Sequence, residues 1–237
     1  MKTTTPIPVL KRRARGLAQA DGIPLHQALD QVARSQGYVS WSLLASQQKE
    51  STDDTLLSKL VPGDLVLLGA RPGQGKTLMG LRLLAEHALQ DAVGYFFTLE
   101  YTVADVASRL KQMGFAPHNL GGRFVLDTAD AINADYIINR VQGAAPGTII
   151  VVDYLQLLDQ RRVNPDLTTQ VAALRDCAAN HGFVIVLLTQ IDRSYDRATK
   201  PIPDLQDVRL PNPLDLNLFT KGCFIGDGGV AVIQMAS

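Results

Sequence analysis

From residue 56 onward the chain alternates short apolar runs, many of them rich in β-branched residues, with stretches of helical periodicity. Asp64–Ala70 precedes a helical pattern from Lys76, Gly94–Leu99 one from Val103, Phe124–Leu126 one from Ala134, and Thr148–Leu158 one from Leu167. Phe183–Thr189 follows, then Leu216–Ile225 and Val230–Met235 with no helix between them. Apolar runs this short and continuous predict strands buried on both faces. Their alternation with helices predicts an α/β domain, a mostly parallel twisted sheet flanked by helices. Gly226-Asp227-Gly228-Gly229 between the last two runs is a hairpin signal, so the sheet is expected to end in an antiparallel edge.

Pro8 to Gln48 has a different texture. It is helical in period and cut by Asp21-Gly22 and Gln36-Gly37 into three short amphipathic pieces. Ile23, Leu25, Leu29, Val32, Trp41, Leu43 and Leu44 form the expected apolar seam. A polar stretch, Gln47 to Asp54, then separates this module from the α/β part. The expected organisation is a small helical module over 1–49, a linker over 50–55 and the α/β domain over 56–237.

Charge sharpens that division. The formal net charge of the 237 residues is zero, yet residues 1–49 hold seven Lys/Arg against two acids, leaving the remainder correspondingly acidic. Lys11, Arg12, Arg13 and Arg15 crowd the first helical piece; such a group is either a solvated face or a contact for nucleic acid or an acidic partner. Cys177 and Cys223 are far apart and lack metal-ligand spacing, so they read as small core residues rather than a zinc site or disulfide framework. The N-terminus lacks the apolar stretch of a signal peptide, and no apolar run approaches membrane-spanning length. A reducing, cytoplasmic setting without membrane contact is the expectation.

Candidate chemistry concentrates at the first strand-to-helix junction, where residues 69–77 read Gly-Ala-Arg-Pro-Gly-Gln-Gly-Lys-Thr. Glycines let backbone N–H groups turn inward around a polyphosphate, a lysine can reach its β and γ oxygens, and a threonine hydroxyl can ligate Mg²⁺. Ala70, Arg71, Pro72, Gly73, Gln74, Gly75, Lys76, Thr77 and Leu78 are therefore the candidate nucleotide-binding residues. ATP with Mg²⁺ is the expected ligand. The usual spacing, counted back from Gly75, lands on Ala70 rather than Gly69. Alanine is the smallest replacement available.

Thr148–Val152 leads to one carboxylate, Asp153, which would emerge at the strand's carboxyl end beside the phosphate loop and could share the Mg²⁺ with Thr77. A strand-end capping role is the alternative. Glu100 closes the Tyr95–Leu99 run, where it could act as a general base on the water attacking a γ-phosphate, or serve as an N-cap or first-turn acid for the next helix. Gln190 ends another run and could sense the γ-phosphate with its amide. The polar segment after it, Asp192–Lys200, bounded by Pro201 and Pro203, reads as a surface loop that is either solvated or in contact with nucleic-acid phosphates through Arg193, Arg197 and Lys200.

Four stretches, GARPGQGKT at 69–77, FFTLE at 96–100, VVDYLQLL at 151–158 and LLTQIDRS at 187–194, together resemble the C-terminal ATPase domain of DnaB-type replicative helicases, a branch of the RecA-like P-loop ATPases. The resemblance covers about residues 56–225. It implies ATP hydrolysis coupled to action on single-stranded DNA, assembly as a homo-oligomer such as a hexamer, and roles for Lys76 and Glu100 in catalysis, Asp153 in metal binding and Gln190 as the strand-tip sensor. It also implies that the loop can begin with alanine.

Two features depart from that pattern. The family lends a basic finger from each subunit to its neighbour's nucleotide, in an element after the last shared strand, whereas no Lys or Arg follows Lys221 here. The stretch matching the family's DNA-contacting loop reads Asp204-Leu205-Gln206-Asp207-Val208-Arg209, leaving Arg209 as its candidate DNA contact. The large helical N-terminal domain of those helicases is replaced by the basic module. Two functions follow as expectations: a helicase-like ATPase acting on or near DNA, or a nucleotide-dependent switch or assembly module with little turnover. A metabolic kinase would use the same loop, but nothing resembles its acceptor pocket or lid.

Overall fold

The computed structural model describes residues 7–42, 44, 56–159, 164–196, 199–210, 212–226 and 229–235. The expected linker at 50–55, Leu43, Arg197 and the Asp227-Gly228 turn lie outside these residues.

In the N-terminal part, helices α1 (Ile7–Asp21) and α2 (Leu25–Ser35) meet at Gly22, whose φ of +63° suits glycine. A third helical piece includes Trp41, Ser42 and Leu44. Leu10, Ala14, Ala28, Val32, Ala33 and Leu44 form a core of their own, flanked by Leu17, Ile23, Leu29 and Trp41. Leu25, expected in the seam, is instead 44% exposed at the first residue of α2, while the small residues Ala28 and Ala33 let the helices approach. Asp30 accepts the backbone N–H of Trp41 at 2.8 Å and so fixes the start of the third piece.

Residues 56–235 build a seven-stranded sheet in the order β3-β2-β4-β5-β1-β6-β7. The strands are β1 (Leu65–Ala70), β2 (Gly94–Thr98), β3 (Phe124–Asp127), β4 (Ile149–Asp153), β5 (Val184–Gln190), β6 (Lys221–Gly226) and β7 (Gly229–Gln234). All pairings are parallel except β6 with β7, which gives the antiparallel edge. Side chains alternate across the pleat. Val66, Leu68, Ile149, Val151, Val186 and Leu188 point to helices α3 (Lys76–Ala88) and α4 (Val103–Gln112), whereas Leu65, Leu67, Ile150, Val152, Ile185 and Leu187 point to α5 (Ala134–Arg140) and α6 (Leu167–His181). Both sheet faces are thus covered, each buried Val, Leu or Ile contributing about 1.5–3 kcal/mol by leaving water. Cys177 and Cys223 are buried and unbridged, and burial pushes the Cys223 thiol up to about 12.

Two apolar runs are shorter as strands than their pattern suggests. β4 stops at Asp153, the last residue with strand partners, and Leu155–Asp159 is a 3-10 turn whose Leu155, Leu157 and Leu158 seal the α5/α6 face. Leu216–Leu218 is likewise a 3-10 turn, initiated by Asp215 accepting the N–H of Asn217, and β6 begins at Lys221. Apolar residues that cap a core and those that run through it look alike in sequence.

At the amino end of the sheet, the buried carboxylate of Asp64 accepts from the Lys221 ammonium, from the Thr220 hydroxyl at 2.8 Å and from the Val61 N–H at 2.8 Å. This cluster clamps β6 against β1. Removing one partner of a buried ion pair strands the other charge, so Lys221→Ala is expected to cost about 3–5 kcal/mol in urea unfolding, with a non-additive cycle against Asp64→Asn. On α3, burial holds the His87 imidazole below its ordinary 6.5, partly opposed by backbone groups of Val93 and Gly147. Below about pH 6.5 the unfolded chain therefore takes up the proton more readily, and stability falls as pH drops through that value. Urea midpoints compared at pH 7.5 and 5.5 should show this loss, and His87→Gln should reduce it.

Candidate functional site

The carboxyl ends of β4, β5, β1 and β2 converge at one edge of the sheet, where the loop from β1 to α3 begins. Gly73 and Gly75 have φ of +77° and +89°, and a Cβ at either would meet open space, so their backbone conformations rather than crowding call for glycine. Gly69 serves a different need. It lies within β1, where a Cβ would come within 3.0 Å of Ile191 Cδ1 and Phe224 Cδ1. Ala70 is the buried last residue of β1, which explains why the spacing of the motif starts there.

Gly75 is the N-cap of α3 and offers no side chain to bond the first N–H groups of this 13-residue helix. Those donors and the helix dipole together favour an anion at this end. Within the loop, the Gln74 N–H donates to the Arg71 carbonyl at 3.1 Å. Arg71 is half-buried, while Pro72, Gly73 and Leu78 are exposed. α3 approaches the sheet closely at Gly80, where a Cβ would lie 2.9 Å from Val151 Cγ1.

Asp153 shares the pleat direction of Val151, toward α3, and is fully buried. Its Oδ1 accepts from Lys76 Nζ at 3.1 Å and its Oδ2 from Thr77 Oγ1 at 2.7 Å. The strand-end carboxylate thus joins the loop lysine and threonine rather than capping a strand. Lys76 Nζ also lies 5.7 Å from the centre of the Tyr154 ring, and the Asp153–Tyr154 peptide is cis. A hydroxyl and a carboxylate are hard oxygen donors, the type Mg²⁺ selects, and the glycine turns and uncapped α3 terminus suit a polyphosphate.

Glu100 stands two residues beyond β2 and is exposed. Its N–H donates to the Thr98 hydroxyl at 3.1 Å, and Thr98, itself fully buried, pairs in register with Asp153. The capping alternative for Glu100 does not hold. Thr102 is the N-cap of α4, and Asp105 completes a reciprocal capping box with it. Gln190, half-buried, ends β5 opposite Ala70.

The segment after Gln190 is a closed excursion. The Arg209 N–H donates to the Gln190 carbonyl at 2.8 Å, the Asp192 N–H donates to the Asp207 carbonyl at 2.7 Å, and Ile191 bridges Val208. Lys200 Nζ sits 2.6 Å from Asp204 and 2.7 Å from Asp207, so its charge is held within the loop. Arg193 and Arg209 are exposed. Among the residues that pattern reading did not single out, Thr98 and Tyr154 touch the site directly. A threonine inside the apolar run FFTLE was the available signal for the first; an aromatic ring after Asp153 carries none.

No protein-family model matches the chain. It is 25% identical over 216 residues to the replicative DNA helicase DnaB of Synechocystis sp., covering 78% of this chain and 23% of that protein. It is 25% identical over 197 residues to DnaB of Mycoplasma genitalium, covering 66% of this chain and 41% of that protein. The chain therefore spans well under half the length of these curated relatives. Among solved structures it is similar to an isolated DnaB-like helicase ATPase domain, with a TM-score of 0.54 and 17% identity over 81% of this chain and 92% of that one. It is also similar to a DnaB-like replicative helicase described with its interactions with primase, with a TM-score of 0.56 and 19% identity over 90% of this chain and 65% of that one. The α/β part has the RecA-like fold of DnaB-type helicase ATPase domains.

Asp153 neutralises an almost buried ammonium, so Asp153→Ala should cost about 3–5 kcal/mol of stability in the nucleotide-free protein. Asp153→Asn, which keeps an acceptor for Thr77 and Lys76, should cost less in the same urea titration.

Proposed function

From the DnaB-type, RecA-like fold, we propose that the chain binds ATP with Mg²⁺, hydrolyses it, and acts on or near DNA. The observation that supports this most directly is the joining of Lys76 and Thr77 to Asp153 beneath an open glycine loop. Residues Ala70 to Leu78 would cradle the phosphates, with Lys76 exchanging its pairing with Asp153 for the β and γ oxygens. Thr77 and Asp153 would hold the metal. Bound Mg²⁺ supplies positive charge that offsets charge building on the transferred phosphoryl group. Glu100 would orient water for attack and take its proton, with Thr98 holding the Glu100 backbone. Gln190 would read the γ-phosphate with its amide.

Arg193 and Arg209 are the exposed cations flanking the Gln190–Arg209 ladder, and they are the proposed DNA contacts of this edge. Arg197 shares the segment but lies outside the described residues, and the pairing of Lys200 with Asp204 and Asp207 leaves it little charge to offer. Assembly as a homo-oligomer, hexameric as in ring helicases, belongs to the same reading. The ladder also favours a second reading, a nucleotide-dependent switch. A sensor whose carbonyl is bonded to Arg209 could reposition the 191–209 loop without rapid turnover.

Steady-state ATP hydrolysis with and without single-stranded DNA separates the two, with Lys76→Ala as background. The expected result is DNA-stimulated turnover that vanishes in Lys76→Ala and drops about 10²–10⁴-fold in Glu100→Gln. ATP binding with turnover no higher than Lys76→Ala in both conditions would transfer the conclusion to the switch.

A further inference from the structure

Helix α1 carries more charge than its fold needs. Lys11, Arg12, Arg13 and Arg15 are all exposed, and none has an ion-pair partner among the described residues. At 3.6 residues per turn the four cover an arc of about 200° opposite Leu10, Ala14 and Leu17, the residues that turn into the helical core. No acid occupies the first turn, and no cation occupies the last turn, where the helix dipole would favour one. Lys11 and Arg15 form a like-charged i,i+4 pair, which destabilises a helix. This local conflict has no structural compensation within the module, the pattern expected where a surface is kept for binding.

We propose that this arc of α1 is a docking surface for the phosphate backbone of nucleic acid, separate from the nucleotide site and independent of ATP. The proposal extends the reading that the chain acts near DNA by assigning a second contact. Three of the four cations are arginines, whose planar guanidinium matches phosphate oxygens in pairs. The arc presents no large apolar side chain, because Leu10, Ala14 and Leu17 are engaged in the core. A membrane-surface helix or a protein-protein hot spot would need an apolar anchor there. Backbone phosphates need only closely spaced positive charge, with no base readout, so sequence-independent binding follows. Since the net charge of the chain is zero, attraction is confined to this arc and fades beyond about 10 Å at 0.1 M salt.

The test is fluorescence-anisotropy binding of labelled DNA to the full chain, without nucleotide, across a salt series. Compared with wild type, the variant carrying Lys11→Gln, Arg12→Gln, Arg13→Gln and Arg15→Gln should bind at least about tenfold more weakly. Its slope of log K against log salt should be shallower by about 3. A companion variant with Arg12→Lys, Arg13→Lys and Arg15→Lys should keep the wild-type salt slope, which separates charge from helix integrity. Lys76→Ala should leave nucleotide-free binding unchanged, so failure of the ATPase reading would not imitate failure of this one. Unaltered DNA binding by the glutamine variant would overturn the proposal. So would loss in the lysine variant, or capture by anionic phosphatidylserine vesicles in place of DNA.

Discussion

The carboxylate of Asp153 organises the working edge of this protein. It is sealed from water, and each oxygen is engaged by a different residue at the start of α3, so β4 and the phosphate loop cannot shift independently. An unpaired carboxylate at this depth would be strongly unfavourable, and so would an unpaired lysine. The constraint reaches outward through packing. Gly80 lets α3 lie against Val151 and Leu188, which keeps Lys76 and Thr77 within hydrogen-bonding distance of the strand end. Thr98 beside Asp153 then anchors the backbone at Glu100.

The opposite edge of the sheet is held by a similar device with another purpose. Asp64, Thr220 and Lys221 join β1 to β6 where no ligand is expected, and every polar group in the cluster has a partner. Rigidity there leaves adjustment to the carboxyl edge, where the 191–209 excursion is tied down at its two ends and by Lys200 in its middle. Gly226 reinforces the arrangement, since a Cβ there would come 2.4 Å from the Pro201 carbonyl oxygen. The end of β6 and the middle of that excursion are consequently packed too closely to move apart without cost.

Much of this was legible in advance because period and turn chemistry act locally. The alternation of Leu65–Leu68 and Ile149–Val152 with helical segments specified a parallel sheet, and the glycines after Ile225 specified its antiparallel edge. What misled were apolar residues at structural ends. Leu155, Leu157 and Leu158 are apolar because they close a face of the core, and Leu216–Leu218 form a turn for want of strand partners. Leu25 turned outward because Ala28 and Ala33 already filled the helix contact.

By itself the sequence determined the order of elements, the phosphate-loop chemistry and the identity of the carboxylates, since these depend on residue type and spacing within a few positions. Tertiary structure alone decided which groups meet. The convergence of Lys76, Thr77 and Asp153, the removal of Lys200 into a pairing with Asp204 and Asp207, and the bond from Arg209 to Gln190 depend on strand order and register across distant segments. Parallel pairing brings residue 153 beside residue 77 only after two crossovers have closed. No local pattern encodes that distance.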